Sequence, residues 1–71
     1  MSKDKDFEEL DFDISAAIRM INRIYPKLPS VPMAVTNDKK KLIVFVGDGY
    51  HAIDEKTISR FYENLEDAKR D

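Results

Sequence analysis

One group of side chains has the types that acid–base or metal chemistry needs: Asp48, His51 and Asp54, three residues apart around the single histidine. A turn folding Asp48 back on His51 would let an imidazole and two carboxylates converge on a divalent cation. Simpler roles account for each residue. Asp48 stands between Gly47 and Gly49 and shapes a turn, Asp54 precedes an amphipathic run as a helix cap, and His51 falls within a strand. Nucleophilic catalysis needs a nucleophile, a base and an orienting group held together, and one histidine with no cysteine leaves that inventory thin. The two glycines fit neither phosphate-cradling pattern, GxxxxGK[ST] or GxGxxG. The residues predict a non-enzymatic protein with no cofactor and no metal.

The cations offer a different chemistry. Lys39, Lys40 and Lys41 follow Asn37 and Asp38 at a hairpin tip, and Arg19 and Arg23 lie one helical turn apart with Lys27 beyond. Such a tip can probe a nucleic-acid backbone. Lysines at a turn also solubilise it and guard strand ends against aggregation. Charge is segregated along the chain: residues 14–53 carry six cations against Asp38 and Asp48, whereas residues 1–13 carry two against six carboxylates and residues 54–71 four against six. The acidic ends, the net charge of −2 and a pI near 5.3 argue against nucleic acid as the partner. Mimicry of nucleic acid by the acidic residues 4–13 has the right sign, but an acidic helix start explains them through the helix dipole.

The elements that must position these groups follow from hydrophobic spacing. Phe7, Leu10, Ile14, Ala17, Ile21 and Ile24 recur at threes and fours, which predicts a helix opening near residue 7 with Asp6 and Glu9 as a capping box. A competing pattern exists: Leu10, Phe12 and Ile14 also alternate, so that residues 7–12 form an extended arm and Asp13 caps a shorter helix. The longer helix is preferred. Pro26 ends it, and Pro29 and Pro32 stiffen the connector. Val31, Met33 and Val35 alternate as a strand that Pro32 confines to an edge or a strand start; Thr36 to Lys40 form a turn; Lys41 to Val46 form the next strand. The Gly47, Asp48, Gly49 turn then returns Tyr50 to Ile53 as a third strand. Asp54 caps a second helix, with Ile53 and Ile58 as its hydrophobic staple and Ile58, Phe61, Tyr62 and Leu65 as its apolar face, fraying near Ala68.

The expected fold is therefore α+β: a single domain over residues 1–71, of order αβββα or αββα, with an antiparallel meander between N- and C-terminal amphipathic helices and frayed ends at 1–6 and 69–71. Double-stranded RNA-binding domains share the αβββα order. Their second helix begins with lysines that grip phosphate, whereas this one would begin Asp54, Glu55, Lys56, Thr57. No family is indicated.

The strand Leu42–Val46 is apolar at every position, so both of its faces ask for burial. Helices on opposite faces would supply it internally; a second copy or a foreign protein would supply it from outside. The outside solutions are preferred, the second copy foremost, because a chain of 71 residues has a marginal core. The sequence thus predicts a protein–protein interaction module, homodimeric, acting as a regulator, inhibitor or accessory subunit that occludes or bridges a partner. Val44, Phe45, Tyr50, His51 and Tyr62 are its expected contacts. The alternative is a nucleic-acid-binding regulator using Arg19, Arg23, Lys39, Lys40 and Lys41 against phosphate. Lack of cysteine points to the reducing cytoplasm, and no apolar run reaches the length of a membrane span.

Overall fold

The structure, a computed structural model, describes residues 10–71; the expected capping box of Asp6 and Glu9, the helical reading of residues 7–9 and the fraying of residues 1–6 lie outside them. The order is α1 (Ile14–Ile24), β1 (Ser30–Val35), β2 (Leu42–Val46), β3 (Gly49–Ile53) and α2 (Leu65–Lys69), an αβββα domain. The strands form one antiparallel sheet in the order β1, β2, β3.

Asp13 opens α1. Its backbone is extended and its carboxylate accepts a 2.9 Å hydrogen bond from the Ser15 N–H, satisfying a donor that the first turn cannot. Residues 10–12 are not helical, so within the described chain the shorter, Asp13-capped helix replaces the longer one. The aspartate wins because a side-chain acceptor at this point ends the competition between arm and helix. Tyr25 closes α1 by donating to the Ile21 carbonyl, just before Pro26.

Side chains alternate across a sheet, and here each face has its own helix. Leu42, Val44, Val46 and Ile53 pack with Ala17 and Ile21 of α1, while Ile43 and Ala52, on the opposite face, pack with Ala68 of α2 and with Leu65 and Tyr62. The all-apolar β2 is thus covered from inside the chain, by the one solution that needs no second molecule. Ile21, Leu42, Ile43, Ile53 and Val44 are fully buried, each contributing about 1.5–3 kcal/mol of transfer free energy.

The second helix is much shorter than its periodicity predicts. Asp54 does act as an acceptor for amides ahead of it, from Lys56 and Thr57 at 2.7 Å, but the chain then turns back instead of winding on. Ile53 pairs with Ile58 across an antiparallel bridge, the Ser59 N–H donates to the Ala52 carbonyl, and Tyr50 and Tyr62 exchange both backbone bonds at 2.7 and 2.8 Å. Residues 57–62 therefore close the outer edge of β3 as an irregular fourth strand. Thr57, Ile58, Phe61 and Tyr62 are β-branched or aromatic, types that fit a pleated surface, and the open backbone of β3 supplies the partner. The expected pairing of Ile53 with Ile58 is kept, with strand geometry in place of a staple.

Candidate protein interface

The β2–β3 connection sets one end of the sheet. Val46 pairs with Gly49, leaving Gly47 and Asp48 as a two-residue loop, with positive φ (68°) at Gly47 alone. That pattern is the type II′ hairpin, whose first loop position asks for glycine. Gly49 is needed for space: a Cβ there would run into the Phe61 ring and lie 2.7 Å from the Tyr62 carbonyl oxygen. Leu28 packs against Gly47 from the proline-rich connector. Both glycines are thus roofed by large apolar side chains that are themselves half in water, Leu28 at 43% and Phe61 at 43% exposure.

On the sheet face shared with α2, the register places Val31, Phe45, Tyr50 and Tyr62 side by side across four strands. The Phe45 and Tyr50 rings meet edge to face with centroids 5.3 Å apart. α2 is only five residues long and covers Ile43 and Ala52, so this row extends past its shelter: Phe45 and Tyr50 are half-buried and Val31 is 45% exposed. Ile24, Leu28, Val31 and Met33 are four of the five large apolar residues exposed in the described chain, all between the end of α1 and the middle of β1; Phe61 is the fifth. A β-bulge between Pro32 and Ala34 and the missing N–H of Pro32 blunt the edge of β1 against strand addition. The exposed side chains, not the edge backbone, are what this region offers.

The expected contact residues separate on this frame. Phe45 and Tyr50 stand in the half-open row. Val44 is fully buried against α1. His51 is 5% exposed; its Nδ1 lies 2.9 Å from the Ser59 carbonyl oxygen and its Nε2 2.8 Å from the Tyr25 hydroxyl. A carbonyl only accepts, so Nδ1 carries a proton, and Nε2 shares its hydrogen bond with the Tyr25 hydroxyl. The imidazole also packs with the Tyr25 and Phe61 rings, tying the end of α1 to β3 and to the returning segment. Tyr62 is half-buried, with the Arg60 guanidinium 4.8 Å above its ring and its hydroxyl donating to Asp71 at 2.5 Å. Val44, His51 and the Tyr62 hydroxyl are thus committed inside the chain.

Asp48 is exposed in its loop, and the Asp54 carboxylate is occupied by the amides of residues 56 and 57 and by the Thr57 hydroxyl. Burial pushes the Asp54 carboxyl up, and those three hydrogen bonds together bring it below its ordinary value. The three residues of the metal reading do not converge.

The other end of the sheet is polar and tied down. Thr36 donates to Asp38, the Lys40 N–H reaches the same carboxylate, and both bonds hold Asp38 below its ordinary pKa. Lys39 supplies the positive φ of this turn (61°), and Asp38 supplies the side-chain bonds. The Lys41 ammonium lies 2.6 Å from Asp71, and the Asn37 N–H donates to the Lys69 carbonyl at 2.8 Å. Asp71 thereby raises the pKa of Lys41, and Lys41 and Tyr62 lower that of Asp71. The expected fraying beyond Ala68 is replaced by anchorage: Ala68 is fully buried and Asp71 bonds two side chains. Of the expected phosphate contacts, Lys41 is thus engaged internally, while Lys40, Arg19 and Arg23 are exposed; the arginines sit on α1, on a different element from the lysine turn.

No protein-family model, curated protein or solved structure matches this chain. Among the described residues no helix is long and apolar enough to cross a membrane. The sequence reading missed Ile24 and Phe61 as surface groups because each falls on a helical spacing that reads as core, and it missed Leu28 as well. Leu28 alone carried a signal: it lies between Pro26 and Pro29, in a connector with no periodic face.

Proposed function

We propose that this chain is a small non-enzymatic protein-interaction module that occludes or bridges a partner protein. The observation carrying this reading is the exposure of large apolar side chains on a fold whose core is otherwise closed: Leu28, Val31 and Phe61 by the β2–β3 end, Ile24 at the end of α1 and Met33 in the middle of β1. Apolar anchors with a polar surround are the energetic centre of protein interfaces. Phe45 and Tyr50 extend the surface on the α2 side. Since both sheet faces are covered internally, the core does not require self-association, and this reading takes a different protein as the partner. The absence of cysteine supports placing this role in a reducing compartment, the cytoplasm.

The test is quantitative affinity capture from the native cell with the wild-type chain and with Leu28→Glu and Lys40→Glu, each checked for an unchanged thermal melt. A partner lost with Leu28→Glu and kept with Lys40→Glu supports the reading. Equal recovery by all three chains, or a solution mass showing that the chain binds only its own copies, contradicts it.

A further inference from the structure

The outer side of α1 and the connector after it carry a repeat that core packing uses only in part, through Met20. Arg19 precedes Met20, Arg23 precedes Ile24, and Lys27 precedes Leu28, so that a cation and an apolar residue recur together every four residues. All three cations are exposed, as are Ile24 and Leu28, and Met20 is half-buried. Between Ile14 and Asn37 there is no acidic residue at all. Spacing of four keeps successive pairs on one side of a helix, and α1 holds the first two; Lys27 and Leu28 continue the series past its cap. A second observation marks the same place: an open cleft of about 540 Å³ lined by Ala16, Arg19, Met20, Asn22, Arg23 and, across from α1, Glu55.

We infer that this stripe docks an acidic amphipathic segment of the partner protein, its carboxylates meeting Arg19, Arg23 and Lys27 and its aliphatic side chains meeting Met20, Ile24 and Leu28. The inference rests on the interaction reading above and gives that partner a chemistry. Charge complementarity selects the sign: guanidinium groups bind carboxylates in planar, two-pronged geometry, and against the two arginines the cleft sets a single carboxylate, Glu55. The interposed aliphatic groups select the class. They have no use for a phosphate backbone, and the stripe has no aromatic ring on which a base would stack. It also lacks the aromatic residues that anchor a helix at a lipid interface. An acidic amphipathic helix satisfies both halves of the repeat, at the same helical period.

Fluorescence polarisation with the whole chain tests this. The probes are a labelled amphipathic helical peptide with glutamates on its polar face and leucines on the other, the same peptide with lysines for glutamates, a short DNA duplex, and vesicles containing anionic lipid. Binding of the glutamate peptide that weakens about tenfold or more in Arg19→Glu/Arg23→Glu, weakens with added salt, and shifts amide resonances within residues 16–28 supports the inference. Equal binding of both peptides, no binding of the glutamate peptide, preference for duplex or vesicle, or resonance shifts elsewhere overturns it. The two readings fail separately: if Leu28→Glu abolishes capture of the native partner while Arg19→Glu/Arg23→Glu leaves it unchanged, the interaction module stands and its acidic partner does not.

Discussion

At the end of the sheet where residues 36–41 turn, polar groups answer one another: Asp38 takes Thr36 and Lys40, Lys41 meets Asp71, and the Asn37 amide meets the Lys69 carbonyl. At the opposite end, around Gly47 and Gly49, large apolar side chains roof the hairpin and stay half in water. The first end secures α2, a helix of five residues that could not persist alone and whose Asn64 side chain does not cap its first amides. The second end leaves part of the Leu28 and Phe61 side chains in water, and that exposed share adds nothing to the fold. The difference teaches which residues the fold requires and which it merely carries.

That contrast can be broken by substitution. Leu42, which pairs with Val35 and Ile53 at the tied-down end and is fully buried, has the largest expected effect: Leu42→Ala lowers unfolding free energy in urea by about 2–5 kcal/mol. Next comes Gly49→Ala, whose new Cβ collides with Phe61 and the Tyr62 carbonyl and costs about 1–3 kcal/mol in the same assay. Phe61→Ala should relieve part of that cost in the double variant, since it removes the ring in the way.

Asp71→Asn comes third, at about 1 kcal/mol, by removing the charge that binds Lys41 and Tyr62. It also alters the response to pH. Asp71 is held below its ordinary 3.8, so in acid the unfolded chain takes up its proton first. The stabilisation is present above that value and disappears as pH falls through the lower folded-state pKa. Lys41 is held above its ordinary 10.5, so its share is intact below that pH and fades as pH rises through the higher folded-state value. Thermal melts across pH should show Asp71→Asn furthest below wild type between these two pKa values and converging with it in acid and in strong base. The smallest stability effect belongs to the open end: Leu28→Glu and Val31→Ser should each stay within about 0.5 kcal/mol of wild type, measured by the same melts.

Much of this architecture could be read from spacing and turn chemistry. The meander followed from the alternation in Val31 to Val35, the apolar run Leu42–Val46 and the glycine pair, and the end of α1 followed from Pro26. What could not be read were choices made by tertiary pairing. Ile58, Phe61, Tyr62 and Leu65 fit a helical stripe in isolation, and only the open edge of β3 turned residues 57–62 into a strand-like return. The same blindness affected the candidate site. Phe45 and Tyr50 were identifiable as apolar groups on the sheet, yet Val44 and His51 fell to the α1 side, where packing and the Tyr25 hydroxyl consume them. A one-residue difference in strand position reverses the face, and sequence alone did not say which face would be sealed more completely.

Amide hydrogen exchange of the chain, free and bound to its captured partner, tests the assignment of binding to the open end most directly. Binding there predicts added protection in residues 24–33 and 60–62, with exchange in the 36–41 turn unchanged. Protection concentrated in residues 36–41, with residues 24–33 unaffected, would contradict it.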